Sequence, residues 1–318
     1  MTQQQVAGLT AISDGQLRRP DSCAALAAAI EGIVHNPTLI TAEDGSGLAG
    51  GYAVTGPLRP RARLVAGEIE LLHRLAPQSF KIGLPAPGSL ACAMFRGAKI
   101  TSPYASIRDL AAAFAPIVRQ EFEALAASAV PYLQLSSPAY TALLEPGYRS
   151  RMEAMGEDPD SLLRDLIAVD AAALEGLQRP GGTTTALRVG IKGRSLQPPG
   201  RHAAMLEQVL ATVPADRFLI EFRGLSAEEF GPLRALPRGK MAVLGLIDNQ
   251  GASLADIDGV LDQIDLAVQF SDAANLAISP QRGFGAPGIA GTTAALARQR
   301  TVLEVTGEVA RRYWGIEL

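Results

Sequence analysis

Residues 276–287 read LAISPQRGFGAP: a short apolar run, Leu276-Ala277-Ile278-Ser279, breaks at Pro280 into Gln281-Arg282-Gly283, and a long helical pattern from about Thr293 to Tyr313 follows. A β-type run, a polar or glycine-rich break and a helix make one βα unit. A cation held at such a junction needs a partner, so the stretch poses the question of what Arg282 faces.

The same unit recurs along the chain. β-type runs at 9–13, 80–84, 132–135, 186–191, 218–222, 242–247 and 276–279 give seven candidate parallel strands. Between them Ile107, Leu110, Phe114, Ile117 and Leu125 recur at helical spacing, with Pro116 as an expected kink, and Leu163, Ile167, Leu174 and Leu177 repeat the pattern. Ser253-Leu254-Ala255-Asp256 reads as a capping-box-like start for the helix carrying Ile257, Leu261 and Ile264. Right-handed crossovers close about eight such units into an α/β barrel of the (β/α)8 TIM type. One insertion departs from the repeat: residues 37–56 carry Leu39-Ile40-Thr41 and Tyr52-Ala53-Val54 around a glycine-rich link, which predicts a β-hairpin beside the barrel.

Composition fits one large core and a single domain over residues 1–318, since 47% of residues are hydrophobic and only 19% charged. The 29 basic and 32 acidic residues are interspersed with no basic run, which excludes the electrostatic footprint of a nucleic-acid binder. Apolar runs such as Ala24 to Ile30 are far shorter than the roughly 20 residues that span a bilayer, so no membrane partner is expected. The start MTQQQVAGLT lacks the pattern of a signal peptide, and two cysteines, Cys23 and Cys92, give no disulfide framework; both fit a reducing cytoplasm.

In such barrels the chemistry sits at the C-terminal ends of the strands. Here those ends carry AISDGQLRRPD (11–21), FKIGLPAPGSL (80–90), YLQLSSPAY (132–140), FLIEFRG (218–224), VLGLIDNQGASLADID (243–258) and LAISPQRGFGAP (276–287). Six motifs in this order and at this spacing resemble the catalytic domain of the cobalamin-independent methionine synthase family and its short relatives, over nearly the whole chain. That family belongs to a wider group with uroporphyrinogen decarboxylase. The resemblance implies a barrel that moves a methyl group from a methyl-folate to a thiol held on zinc. It also implies that the zinc His and Cys positions fall on Val189 and Ile191, which are taken to face inward, the second zinc Cys on Arg282, and the zinc Glu on Glu221. The acidic positions that hold the amino-acid substrate fall on Gln16, Ser136 and Ser137. Three of four metal ligands are therefore replaced, so no zinc site is expected and methionine synthesis as such is not.

The residues themselves agree. His35, His73 and His202, with the two cysteines, are assigned to helices or loops away from strand ends and show no ligand spacing. Arg282 standing at a metal position and Glu221 at another predict an ion pair in the barrel mouth, with Asp248 as a further candidate acid or base. Arg18, Arg19 and Arg223 are candidate binders of an anionic substrate, because the guanidinium fork suits carboxylates and phosphates. Gln16, Gln134, Ser136 and Gln281 complete the expected substrate-binding set. Lys81 is read as snorkelling from low in its strand, Lys192 as pointing away from the pocket, Arg194 as free to reach either way, and Asp14, like Asp248, as either an acid or base or a cap of its loop or the following helix.

In the resembling family a strand and most of a helix precede the segment matching GLTAISDGQLRR, whereas eight residues precede Leu9 here. The first βα unit of the barrel is thus expected to be missing, leaving edges that a second copy or a different protein covers. Three functions stay open at this point: metal-free transfer of a methyl or related group on a small anionic substrate, with a folate as candidate cofactor; decarboxylase or lyase chemistry assisted by Arg18 and Arg19; and a non-catalytic subunit completed by a partner.

Overall fold

The computed structural model describes residues 1–16, 18–19, 23–36, 51–76, 79–95, 102–190, 199–224, 226–249, 253, 256–284 and 293–315. In chain order a short helix α1 (Thr2–Val6) and α2 (Ala24–Ala29) precede two antiparallel strands, β1 (Ile30–His35) and β2 (Tyr52–Pro60). After α3 (Ala66–Leu75) the repeat begins: β3 (Lys81–Pro85), α4 (Pro87–Met94), α5 (Ile107–Ala127), β4 (Tyr132–Ser136), α6 (Pro138–Ala142), α7 (Pro146–Ala154), α8 (Pro159–Leu174) and β5 (Thr184–Val189). It continues with α9 (Pro199–Thr212), β6 (Arg217–Glu221), β7 (Met241–Ile247), α10 (Ile257–Val268), β8 (Leu276–Pro280) and α11 (Thr293–Trp314).

Strands β3 to β8 form one parallel sheet in sequence order, each paired with the next. The sheet curls as a TIM-type barrel with helices outside, as the alternation predicts. Buried on both faces, β7 reads Met-Ala-Val-Leu-Gly-Leu-Ile with six of seven residues buried, the signature of a central parallel strand. Helix α5 is capped by Ser106, whose Oγ accepts from the Asp109 amide, and remains helical across Pro116. The Asp256 carboxylate accepts from the backbone amide (3.0 Å) and hydroxyl (2.9 Å) of Ser253, the expected reciprocal contact ahead of α10. Among the described residues no helix is long and apolar enough to cross a membrane.

Two sequence expectations are corrected. The hairpin spans 30–60 rather than 37–56. Tyr52, Ala53 and Val54 pair with His35, Val34 and Ile33, while Leu39-Ile40-Thr41 lies outside the described residues. The apolar run Ala24 to Ile30 hides a change from helix to strand that periodicity cannot see. Within β1, Gly32 at φ +93° forms a bulge where a Cβ would lie 2.6 Å from the Gly56 carbonyl. His35 therefore ends a strand, not a helix or loop.

The second correction concerns residues 9–13. Only Ile12 pairs, with Phe80 beside β3: its N–H donates to Ser79 O (2.6 Å) and its carbonyl accepts from Lys81 N (2.7 Å). The next backbone pair, on Ser13, is taken by a side chain. The Gln4 amide donates to Ser13 O (2.8 Å) and accepts from Ser13 N (3.0 Å), occupying the place of a neighbouring strand. Helix α1 packs on α11, and a Cβ at Gly307 would stand 2.0 Å from the Ala7 carbonyl, so glycine is required at that crossing. The helical layer thus meets where the sheet does not: among the described residues β8 pairs with β7 alone.

Candidate active site

At the C-terminal ends of β5 to β8 a charged cluster is built from four strands. Glu221, last residue of β6 and only 5% exposed, accepts from Arg188 Nη2 on β5 at 2.5 Å and faces Arg282 Nε at 3.4 Å. Arg282 thus meets Glu221, as the sequence predicts. Missing side chains make the room: a Cβ on Gly190 would stand 3.0 Å from Glu221 Oε1, and one on Gly245 3.2 Å from Glu221 Cα.

The loop carrying Arg282 is clamped through its backbone. Asn249, buried past β7, donates from Nδ2 to Arg282 O (2.6 Å) and accepts from Arg282 N (2.9 Å). Gln281 N donates to Ile247 O (2.9 Å), its side-chain amide donates to Phe222 O (3.1 Å), and its carbonyl accepts from Arg188 (3.0 Å). The Arg282 guanidinium, half-exposed, is therefore presented from a fixed base.

Deeper in the barrel, Lys81 Nζ donates to Gln134 Oε1 (3.2 Å), and Gln134 Nε2 donates to Ser136 Oγ (3.1 Å). Gln16 reaches the same wall, donating to Gly83 O at 3.3 Å. Burial, and secondly the like charge of Arg188, push the Lys81 amine down to about 8. Lys81 points into the barrel and does not snorkel outward.

The other sequence candidates lie apart. Arg18 is exposed and donates to Gly67 O. Arg19 is buried, with its fork on both oxygens of Glu68 (2.5 and 2.8 Å) and a third bond to Gly83 O (2.9 Å). Arg223 turns to Glu229, whose carboxylate accepts from its backbone amide at 2.7 Å. Asp248 is exposed just past β7. Val189 is buried on the outer face, since Arg188 and Gly190, not Val189, confront Glu221; the inward register is shifted by one from the sequence reading. Ile191, Lys192 and Arg194 lie outside the described residues.

Arg188, Lys81 and Asn249 are the members that sequence reasoning missed. Arg188 stands between Leu187 and Val189; a charge inside an apolar strand marks the position, without telling which parity faces the axis. Among the described residues no three His, Cys, Asp or Glu side chains gather as a metal site requires. A cleft of about 260 Å³ between the end of β2 and α5 is lined by Arg63 and Glu121, among others, and includes no residue of the barrel cluster.

With this geometry in hand, the fold is a TIM-type barrel of the kind seen in a solved methionine synthase. The B12-independent methionine synthase from Shewanella sp. W3-18-1, solved in complex with selenomethionine, superposes with a TM-score of 0.70 at 20% identity over 98% of this chain and 86% of that one. At this identity the likeness is one of fold. In sequence, the chain is 26% identical over 242 residues to YxjH of Bacillus subtilis (strain 168), a match covering 73% of this chain and 61% of that protein, under two thirds of its length. No family model matches the chain.

Proposed function

We propose that this barrel is an enzyme that transfers a methyl or related small group on a small anionic substrate, without zinc, at the cluster of Arg188, Glu221 and Arg282. The observation that carries the reading is a single buried carboxylate held between two guanidiniums at the strand ends of a methionine-synthase-like fold. Zinc asks for several Cys, His or carboxylate donors around one point. The donor set here is one carboxylate already engaged by two cations, which repel a metal ion, so the residues do not fit it.

The chemistry that these residues support is electrostatic. Arg282, anchored through Asn249 and half-exposed, offers guanidinium N–H groups to an incoming carboxylate or phosphate. Glu221 orients both guanidiniums, and cations fixed in this way stabilise negative charge that develops on a reacting group. A methylated folate is the donor that the family resemblance implies. The chain is read as a cytoplasmic protein of one domain, 1–318.

The test is native mass spectrometry with elemental analysis on protein purified without added metal, beside Arg282→Met. The expected result is a bound small anion in the wild type, lost in Arg282→Met, and no stoichiometric zinc. About one tightly held zinc per chain, or equal anion retention by the variant, overturns the reading.

A further inference from the structure

We infer that the barrel interior holds a second, deeper oxyanion site in which Lys81 and Arg188 receive the charged end of the substrate, a carboxylate or a phosphoryl group. The inference rests on the reading that the substrate is an anion and adds where its charge goes.

The observation is an amine without a counter-ion. Lys81 is enclosed by the strands, keeps partial access to solvent, and among the described residues makes no salt bridge; its hydrogen bond is to the neutral amide oxygen of Gln134. Among the described residues Arg188 and Arg282 share Glu221, Arg19 has Glu68, and Arg217, at the other end of the barrel, lies over the Tyr132 ring. Enclosing a lone ammonium is costly unless something of opposite charge joins it. The charge felt there is Arg188, of the same sign, which adds to the larger effect of burial in driving the amine down to about 8.

The surrounding groups are donors. The amide nitrogens of Gln16 and Gln134 stand 3.3 and 3.9 Å from where a Cβ on Gly83 would be, with the Gln134 carbonyl at 3.8 Å, so a wall without a side chain carries two amide donors beside one acceptor. Ser136, whose Oγ accepts from Gln134, keeps its own hydroxyl proton to give. An ammonium and a guanidinium, with two amides and a hydroxyl that can donate, suit an oxyanion, and the two positive charges disfavour a cation. Glu221, the carboxylate of the mouth, lies above, spent on the two arginines. A substrate entering charged end first would place its reactive end beside Glu221 and Arg282.

Thermal melts at constant ionic strength, with sodium chloride replaced stepwise by sodium acetate or sodium phosphate, test this in wild type, Lys81→Met and Lys81→Gln. The expected result is a saturable rise in wild-type melting temperature with one or both ions. Both variants should bind the ion at least tenfold more weakly while melting, in chloride, no lower than wild type. A response to acetate alone assigns a carboxylate, to phosphate alone a phosphoryl group. Equal responses in wild type and both variants indicate an adventitious ion only and overturn the site. So does an unresponsive wild type, and so do two variants that melt well below wild type in chloride, because then Lys81 serves the fold. Failure of the mouth reading looks different: Arg282→Met retains its native anion while the Lys81 variants lose the ion response.

Discussion

Arg188 and Glu221 meet across adjacent strands at 2.5 Å, and the same carboxylate faces Arg282 at 3.4 Å. One acid thus pairs with two cations, from β5 and the loop after β8, and leaves the triad with one net positive charge. Glu221→Gln leaves both arginines without a carboxylate. Because Arg188 and Arg282 keep 29% and 54% side-chain exposure, water screens part of the loss, and the expected cost is about 2 kcal/mol rather than the ~3–5 kcal/mol of a fully buried pair. Arg282→Met should cost under about 1 kcal/mol. Urea unfolding of the two variants decides; Glu221→Gln as stable as wild type would show that the three groups are not coupled.

The alternation of strand and helix was legible because parallel strands buried on both faces need unbroken apolar runs. The meeting of Arg282 and Glu221 was legible because both sit at strand ends. Arg188 was not, since on a strand buried on both sides apolar neighbours do not reveal which parity faces the barrel axis. Lys81 was hidden for a different reason: Gly83, two residues on, bares the wall and lets a long side chain turn upward toward Gln134 instead of outward. Arg18 and Arg19 were displaced by local backbone. Gly15 and Gln16, at φ +72° and +57°, turn the chain toward α3, where Gly67 and Glu68 accept the two guanidiniums.

Arg19 is expected to serve the fold. Its side chain is 4% exposed and that of Glu68 8%, with both nitrogens of the fork used. Arg19→Met should therefore destabilise the protein by roughly 3–5 kcal/mol by stranding a buried carboxylate. Arg19→Lys should recover only part of this, because an ammonium cannot make the parallel pair of bonds. Chemical unfolding measures the loss, and native mass spectrometry should show anion retention unchanged in the folded fraction.

Asp170 on α8 ties down the starts of two mouth helices. It accepts from Gly88 N of α4 (2.8 Å), from Tyr140 of α6 (2.7 Å) and from Ser137 just before α6 (3.4 Å). Burial is the largest influence and pushes its carboxyl up to about 7, against the pull of these hydrogen bonds. The unfolded carboxyl titrates near ~3.9. Between about pH 4 and 7 the folded state keeps a proton that the unfolded state has shed, so this group's contribution is full at low pH and is lost as pH rises through about 7. At ~1.4 kcal/mol per unit the loss reaches at most about 4 kcal/mol. Urea melts from pH 4 to 8 should show that decline in wild type and a flatter profile in Asp170→Asn; parallel profiles would remove Asp170 as the source.

Gln4 closes one edge of the sheet with its side chain. Its amide takes both the N–H and the carbonyl of Ser13, the groups that a further strand would otherwise pair. An uncovered strand edge recruits other strands, so a side-chain amide in that place works against self-association on this side. β8 has no such cover among the described residues, and Ala277 to Pro280 are all partly exposed. If a second copy or another protein completes the sheet, it should therefore add to β8 and leave Ser13 alone. Gln4→Ala should cost about 1 kcal/mol through two lost hydrogen bonds. It should also raise the tendency to associate, whereas a proline at Ile278, whose amide faces the open edge because those of Ser279 and Gln281 face β7, should lower it. Light scattering on dilute, untagged protein reads both changes. A wild type that stays monomeric at micromolar concentration, with an Ile278→Pro variant that behaves identically, would show that the β8 edge recruits nothing.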